Sequence, residues 1–436
     1  MNWVYITVEN FNREAHAKLL LSYFALKQNY NVVIGEKNEL RPILDKFPKG
    51  IIIEKSLGPG LKNFMKSWKK HGHKIIGLDE EALTYFSDQQ YFNVNLEKNI
   101  QKYVDKLILL GDNHRKTISK VLPKKYYEVI GNPRYDLYLK KYRRVFDLEV
   151  KNIKKSYKKY ILITSRFGNV FMNRKSMGKI KKLLDINYQK QSEYLAPLLV
   201  KLSIDLAKKF PKKQFIIRPH PSESIEFWKK KLNKFKNCKV IYKNNIAPWI
   251  IASDLIIQNR CTTGLEAFML NKPTISFDPL FEKDPHKKLF KEISYVAKSQ
   301  KDVIKLLNQQ EIQNKNKKKN TQIKKYIYSY NNLKSASEKL IESLNNLRIK
   351  SEQSLNIYSI FQIKLKRILS LIFQYLLGLK SAEYRKYLRY TEQKIGLMSS
   401  KELNRIMEYY FNINKNNKFF IQKKITKNIY LFKITK

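Results

Sequence analysis

Cysteine and long apolar segments are both scarce in this chain of 436 residues. The two cysteines, Cys238 and Cys261, lack the spacing of a metal site. The sequence therefore argues against a disulfide scaffold or a zinc protein and fits a reducing cytosol. No uninterrupted apolar run reaches about twenty residues, so we expect no membrane-spanning helix. Residues 1–8 are typical of a strand and show no basic leader followed by an apolar stretch, so we expect no signal peptide.

Acidic residues are also few, because 37 Asp and Glu stand against 87 Lys and Arg, for a formal charge of +50. Such a charge is common in nucleic-acid-binding proteins. Here the basic residues are dispersed and no aromatic-basic recognition motif accompanies them, so we expect no nucleic-acid partner. A general lysine bias, which also favours an anionic membrane surface, explains the charge more simply than a specific anionic polymer does.

Short apolar runs alternate with helical patterns through most of the chain. Residues 1–155 contain a helical pattern at 13–28 and strand-like runs at 4–8, 31–35, 51–53, 74–78, 105–110 and 126–130. Residues 156–309 contain a long helical pattern at 194–210 and strand-like runs at 160–164, 214–218, 239–242, 254–258 and 274–277. This alternation predicts an α/β fold of two Rossmann-like domains whose strand-end loops face a shared cleft. We interpret the polar residues 143–159 as a linker.

Residues 310–436 are predicted to form a basic helical extension. Residues 310–324 are rich in Lys and Asn and of low complexity, and residues 332–347 have the pattern of an amphipathic helix. Residues 361–379 are the most apolar part, yet Lys364, Lys366 and Arg367 interrupt them. Two interpretations stay open: a basic amphipathic helix on a membrane surface, or a helix packed on the catalytic domains or a dimer face.

Two segments place polar groups where a strand-like run is followed by a helical pattern. They are Arg218-Pro219-His220-Pro221-Ser222-Glu223 and Cys261-Thr262-Thr263-Gly264-Leu265-Glu266. The start of a helix favours an anion through its N–H groups and its dipole. Two such sites in one α/β domain suggest a nucleotide with its phosphate.

His220 is the strongest candidate in the first segment. Pro219 and Pro221 restrict its backbone, so the imidazole is held in one direction and can donate to a phosphate oxygen. The alternative is a histidine that makes only local hydrogen bonds. Arg218 and Ser222 lie beside it as further phosphate ligands, although Ser222 is equally suited to cap the helix.

The second segment offers hydroxyl and N–H groups of Thr262, Thr263 and Gly264 to the same phosphate, or an ordinary helix cap. Glu266 lies in the first turn of the predicted helix. Its carboxylate could accept hydrogen bonds from a ribose or simply complement the helix dipole.

Asp79, Glu80 and Glu81 follow the strand-like run 74–78. Adjacent carboxylates repel one another, which raises the pKa of at least one unless it is well solvated or paired. A general base or a nucleophile at an anomeric carbon is one interpretation, and an acidic helix start is the other. The further candidates for lining the cleft are Arg13, Glu14, Gly168 and Asn169. No metal-ligand cluster accompanies them.

In order and spacing these motifs resemble those of bacterial surface-carbohydrate biosynthesis proteins, glycosyltransferase-like enzymes of the GT-B architecture. The resemblance covers residues 1–345. It includes Arg13-Glu14, Gly77-Leu78-Asp79-Glu80-Glu81, Gly131-Asn132-Pro133-Arg134-Tyr135-Asp136, the His-Pro segment and the Thr262-Thr263-Gly264-Leu265-Glu266-Ala267 helix start. The His-Pro pair is similar to the motif with which bacterial sialyltransferases and Kdo transferases contact the CMP of their donor.

The resemblance implies a metal-independent glycosyltransferase that moves an acidic sugar of the Kdo or sialic type from a CMP-activated donor. The acceptor would be a surface polysaccharide or lipid-linked glycan, and the enzyme would work in the cytoplasm at the inner face of the membrane, without a cofactor. His220 would stabilise the leaving phosphate and Glu266 would reach the ribose, while the acidic motif would supply the base or nucleophile. The alternatives are a CDP-glycerol glycerophosphotransferase, a UDP-sugar transferase or epimerase, and a non-catalytic membrane-associated scaffold.

Overall fold

The computed structural model describes residues 2–80, 82–85, 87–171, 186–309, 321–330, 334–347, 349, 355–381, 395–396, 399–414 and 420–435. The chain forms two compact units. The first unit consists of Met1–Ala82, Phe92–Leu137 and Lys325–Lys436, and the second of Leu83–Tyr91 and Tyr138–Lys324.

Of the described strands, the eleven up to Phe277 lie where strand-like runs were found in the sequence, and the three that follow were not predicted. In the described residues they are β1 (Asn2–Val8), β2 (Tyr30–Glu36), β3 (Ile51–Glu54), β4 (Lys74–Leu78), β5 (Lys106–Leu109), β6 (Tyr127–Val129), β7 (Ile161–Thr164), β8 (Phe215–Arg218), β9 (Cys238–Val240), β10 (Leu255–Gln258), β11 (Thr274–Phe277), β12 (Tyr295–Ala297), β13 (Phe420–Thr426) and β14 (Ile429–Ile434). The short runs of Ile, Leu and Val bury both faces of most strands, as a sheet covered on both sides requires.

The helices alternate with these strands. The described α-helices span Phe11–Lys27, Lys37–Leu40, Lys62–Lys70, Asp88–Asn95, Asp112–Ile118, Pro133–Asp136, Lys140–Arg143, Asp147–Tyr157, Gly168–Phe171, Ile186–Lys209, Ile225–Leu232, Ile246–Ala252, Thr262–Met269, Lys287–Ile293, Gln300–Leu307, Thr321–Tyr326, Ala336–Ser343, Ile357–Lys380 and Ser400–Ile413. The predicted α/β class with parallel sheets is confirmed.

Each unit contains one sheet, and each sheet reverses its strand order once. The first has the order β13-β14-β2-β1-β3-β4-β5-β6, and β1 to β6 are parallel. The second has the order β12-β11-β10-β7-β8-β9 and is parallel throughout. The order therefore switches between β1 and β3 in the first sheet and between β7 and β10 in the second. Ligands of doubly wound sheets bind at such switch points, beyond the carboxyl ends of the strands.

The C-terminal segment differs from the helical extension expected for residues 310–436. After its helices it forms the β13-β14 hairpin, and β14 pairs antiparallel with β2. Ile429 and Phe432 are fully buried there. Pairing with β14 satisfies the backbone groups at the edge of β2, which explains why this segment returns to the first unit.

The predicted linker at 143–159 is also structured. It contains the Asp147–Tyr157 helix, and the boundary between the units falls after Leu137 instead of residue 155. Ile153 is buried, and the Tyr157 ring lies 5.6 Å from the Trp249 ring. These few apolar residues lie in a lysine-rich segment, and their contacts attach the helix to the rest of the second unit. Residues 310–320 of the low-complexity segment lie outside the described residues.

Candidate functional site

The carboxyl ends of β7, β8 and β10 bring the two predicted phosphate segments to one edge of the second sheet. Thr164 pairs with Arg218 on one side of β7, and Ile163 pairs with Ile257 on the other. Neighbouring strands lie about 4.8 Å apart, so the loops after β8 and β10 begin about 10 Å from each other. The His-Pro and threonine segments therefore flank the loop after β7.

Glu223 joins the loop after β7 to the loop after β8. Its carboxylate accepts hydrogen bonds from the Ser165 hydroxyl, the Phe167 N–H and the Trp228 indole, each at 2.7 Å. Burial raises the pKa of Glu223 to about 6, although these hydrogen bonds favour the charged form. Sequence reasoning did not assign a role to Glu223. An acidic residue after a Pro-rich turn was the available signal.

His220 is oriented by its neighbours. The Ser222 N–H lies 3.3 Å from Nδ1 and the Ser222 hydroxyl lies 2.6 Å from it, while the His220 N–H donates to the Ser165 hydroxyl at 3.3 Å. Because the backbone N–H of Ser222 donates to Nδ1, a neutral ring carries its proton on Nε2. The predicted cap at Ser222 is corrected, since the helix begins at Ile225 and Ser224 caps it.

Gly168 lies against this histidine loop. A Cβ atom at Gly168 would come within 1.8 Å of the Ser222 hydroxyl oxygen and 3.4 Å of His220 Nδ1. Only glycine permits this close approach. The predicted candidates Gly168 and His220 are thus brought together. Asn169 belongs to the Gly168–Phe171 helix, and its side chain lies outside the described residues.

The Thr262–Met269 helix begins at the same edge. Cys261 is the N-cap residue, and its side chain makes no capping hydrogen bond to the helix. Thr263 Oγ1 lies 3.2 Å from the Cys261 sulfur, and Gly264 packs so closely that a Cβ would meet Gln258 Nε2 at 2.9 Å. Because Cys261 occupies the N-cap position, Thr262 is not an ordinary hydroxyl cap of this helix. A helix start without a side-chain cap suits an anion.

Arg218 and Glu266 are both buried, although the sequence predicts that each contacts the donor. The Arg218 guanidinium donates to the carbonyls of Lys243 and Asn244 and lies 5.4 Å from the Tyr242 ring. Burial lowers the pKa of Arg218 to about 10, and the charge of Glu266 acts in the opposite direction. Glu266 is 0% exposed. Arg218 thus supports the loop after β9, and a direct contact of either residue with the donor stays a prediction.

Arg166 is a cation of this edge that sequence reasoning missed. It is the second residue after β7, and it donates from Nε to the Asn259 carbonyl at 3.0 Å and from Nη1 to the Tyr188 hydroxyl at 3.1 Å. Burial raises the pKa of the nearby Cys261 thiol, although the charge of Arg166 lowers it. A thiolate nucleophile at Cys261 is therefore disfavoured. The position of Arg166, two residues after the predicted strand 160–164, was the signal that could have identified it.

The first unit buries the predicted acidic motif at the end of β4. Asp79 and Glu80 are 7% and 6% exposed. Glu80 Oε1 lies 2.6 Å from Lys18 Nζ, and Asp79 Oδ2 lies 3.5 Å from Asn95 Nδ2. Lys18 thus supplies the counter-charge that adjacent carboxylates need. Glu81 lies outside the described residues.

Arg13 and Glu14 join a second ionic contact near the switch point of the first sheet. Glu14 Oε1 lies 2.9 Å from Arg13 Nη2 and 3.2 Å from Lys55 Nζ. Burial opposes ionisation of Glu14, yet the charges of Lys55, Arg13 and Lys18 outweigh it and lower its pKa to about 2. Lys55, which follows β3, was not identified from the sequence, because its pairing depends on the order of the strands.

Among the residues that the structure describes, no group of three or more His, Cys, Asp or Glu side chains could hold a metal ion. No described helix combines the length and apolar character needed to cross a bilayer.

No protein-family model matches this chain, and no curated protein matches it. Solved structures are similar to it. A UDP-GlcNAc 2-epimerase from Methanocaldococcus jannaschii, in complex with UDP-GlcNAc and UDP, superposes with a TM-score of 0.51 at 13% identity, over 79% of this chain and 100% of that chain. S. aureus MnaA with UDP gives a TM-score of 0.51 at 13% identity, over 80% of this chain and 97% of that chain.

The wall teichoic acid polymerase TagF, as a variant soaked with CDPG, is a third similar structure. Its TM-score is 0.51 at 15% identity, over 79% of this chain and 88% of that chain. At such identities the likeness shows the fold alone. The chain has the α/β fold of two Rossmann-like domains, in the GT-B-like class.

Proposed function

We propose that this chain is a glycosyltransferase-like enzyme that uses a pyrimidine-nucleotide-activated donor. The observation that carries the proposal is the position of the loop after β7. Its Gly168 packs against the His220 loop, and its Arg166 donates to the Asn259 carbonyl in the loop before the uncapped Thr262–Met269 helix. The strands β7 and β10, which lead into two of these loops, flank the switch point of the second sheet. Anions bind at helix starts and nucleotides at switch points. The similar structures, which were determined with UDP, UDP-GlcNAc or CDPG, support a pyrimidine nucleotide.

His220 has the central role in this proposal. Ser222 keeps the imidazole proton on Nε2, which donates to the phosphate oxygen that gains charge as the donor bond breaks. The N–H groups and hydroxyls of Thr262 and Thr263 bind the same phosphate, while the Gly264 N–H donates to the Cys261 carbonyl at 2.9 Å. Glu223 acts as a positioning residue, because it holds the loops that carry His220 and Gly168.

We assign the acid–base role to Asp79 or Glu80 of the first unit. A carboxylate removes the acceptor proton or stabilises the oxocarbenium-like centre that forms when the nucleotide leaves. Lys18 Nζ lies 2.6 Å from Glu80 Oε1 and holds this carboxylate in place after β4. The acceptor in this proposal is a surface polysaccharide or lipid-linked glycan, made in the cytoplasm at the inner face of the membrane.

The donor group separates two candidates. A CMP-linked acidic sugar, which the sequence motifs suggest, needs a cation for its carboxylate, and Arg166 is the candidate. A CDP-linked glycerol or a UDP-linked sugar needs no such cation. That second candidate is favoured because the arginines of this edge already have other partners. Arg166 donates to the Asn259 carbonyl and the Tyr188 hydroxyl, Arg218 donates to backbone carbonyls, and Arg260 Nε lies 2.7 Å from Asp278.

Nucleotide binding tests the proposal. The full chain is titrated calorimetrically with CMP, CDP, UDP and, as a purine control, AMP. Nucleotide release is then measured with CMP-Kdo, CMP-sialic acid, CDP-glycerol and UDP-GlcNAc. We expect at least one pyrimidine nucleotide to bind and its donor to turn over.

The His220→Ala variant should lower turnover by about 10²-fold, the loss typical for one donor to a developing charge. His71→Ala is the matched control, because His71 is exposed and its Nδ1 lies 2.8 Å from the Ser67 carbonyl of the preceding helix in the first unit. Unchanged kinetics of His220→Ala would refute the assignment. A folded protein that binds no pyrimidine nucleotide would support the non-catalytic scaffold instead.

A further inference from the structure

The Ile357–Lys380 helix lies on the first unit with one face fixed. Ile363 is 1% exposed, Lys366 Nζ donates to the Pro42 carbonyl at 2.8 Å, and Arg367 pairs with Glu39 at 2.9 Å. These contacts come from positions close together on the helix. They determine which face of the helix is turned away from the protein.

The opposite face is a continuous apolar stripe. Phe361, Leu365, Ile368, Ile372, Leu376 and Leu379 follow one another at spacings of three or four residues, so they share one side of the helix. Their exposed fractions lie between 44% for Leu365 and 61% for Leu379. At 1.5 Å per residue the stripe is about 27 Å long. Contiguous apolar surface of this size on a protein marks an interaction site.

The charges around the stripe indicate which kind of surface it binds. The helix contains no Asp or Glu, and Lys364, at about 100° from Ile363 around the axis, borders the stripe. The adjacent strand β13 adds exposed Lys423 and Lys424, and the whole chain carries a formal charge of +50. Two copies joined through this face would bring like charges together. An anionic lipid surface attracts them and accommodates the apolar side chains.

We propose that the Ile357–Lys380 helix lies in the surface of an anionic bilayer, with the Phe361–Leu379 stripe inserted among the acyl chains. The helix axis is parallel to the membrane plane, because the Ile363 face stays on the protein. This docking surface is independent of the donor chemistry, so it stands whether or not the chain binds a nucleotide.

Vesicle co-sedimentation of the full chain tests the proposal. We expect binding to vesicles of phosphatidylcholine with phosphatidylglycerol, weaker binding to phosphatidylcholine alone, and weakening by salt. Ile372→Glu should lower the affinity about 10-fold or more, because the transfer of a large apolar side chain is lost. Ser370→Glu is the matched control, since it adds the same charge at an exposed position outside the stripe and should bind like the wild type. Lys364→Gln should lower affinity for the anionic vesicles about fivefold.

Two results would overturn the proposal. One is a wild-type chain that binds neither kind of vesicle. The other is a wild-type dimer in sedimentation analysis without lipid that Ile372→Glu dissociates, since the stripe would then be an interface between copies. Circular dichroism melting of each variant confirms that it is folded. Unchanged nucleotide binding by Ile372→Glu would separate this surface from the proposed donor site.

Discussion

The Nζ atom of Lys18 lies 2.6 Å from Oε1 of Glu80, and the two side chains are only 1% and 3% exposed. Lys18 belongs to the Phe11–Lys27 helix, whereas Glu80 follows β4. The ion pair therefore links the first helix to the acidic motif. Each charge depends on the other, because neither is solvated by water.

The variant Lys18→Met should destabilise the protein by about 3–5 kcal/mol, because it leaves a buried carboxylate without its counter-charge. Chemical denaturation near neutral pH measures the loss. Lys201→Met is the matched control. Its partner Asp205 is also 2.6 Å away, but Lys201 is 67% exposed, so a loss below about 1 kcal/mol is expected. Equal losses in the two variants would show that the buried ion pair stabilises the protein no more than the exposed one does.

The variant Gly168→Ala should weaken nucleotide binding while the protein stays folded. Its new Cβ would come within 1.8 Å of the Ser222 hydroxyl oxygen, so Ser222 and with it His220 must move. We expect an affinity loss of about 10-fold or more, since ligand contacts depend on sub-ångström placement. Gly60→Ala is the control, because a Cβ there meets nothing within 4 Å. Wild-type affinity in Gly168→Ala would place the nucleotide away from the His220 loop.

The variant His114→Gln should change how stability depends on pH. Burial lowers the pKa of His114 to about 3 in the folded chain, while an unfolded histidine titrates near 6.5. Below 6.5 the unfolded state binds more protons, so the free energy of unfolding falls as the pH falls. Glutamine can still accept the Leu110 N–H and does not titrate.

As the pH falls from 6 to 4, the free energy of unfolding of His114→Gln should therefore rise relative to that of the wild type, by about 1.4 kcal/mol per pH unit. Urea unfolding at several pH values measures this difference. Burial also lowers the pKa of His16 to about 3, but His16 is present in both proteins, so its contribution cancels. Parallel pH profiles would show that His114 titrates normally in the folded state.

The variant Phe432→Ala should cost about 3–5 kcal/mol of stability, because it opens a cavity where β14 joins the first sheet beside β2. Phe432 is 0% exposed, whereas Ile421 on the neighbouring strand β13 is 56% exposed. Ile421→Ala should change stability by less than about 0.5 kcal/mol. Thermal unfolding compares the two. A tolerated Phe432→Ala would mean that the hairpin adds little to the fold.

Local pattern was sufficient for the strands that lie next to helices in the chain. The predicted runs 74–78 and 274–277 coincide with β4 and β11, because a short apolar run between turn residues is typical of a buried strand. The hairpin β13-β14 was not predicted. Its partner β2 lies about four hundred residues earlier in the sequence, and no local pattern encodes a pairing across that distance.

The same distinction applies to individual site residues. His220 and Gly264 stand out in the sequence, since each combines a turn or helix start with a preceding strand. Arg218 shows the opposite, because only the folded loop after β9 reveals that carbonyls engage its guanidinium. A residue's type and position along the chain do not determine its hydrogen-bond partners.

From the sequence by itself come the α/β class, the parallel strands and the polar loops that follow them, since hydrophobic periodicity and turn residues act over a few positions. Tertiary structure alone decided that Glu223 joins two loops, that Lys18 and Lys55 neutralise buried carboxylates, and that an apolar stripe stays exposed on the Ile357–Lys380 helix. Such contacts depend on the order of strands and on burial, which exist only once distant segments pack together.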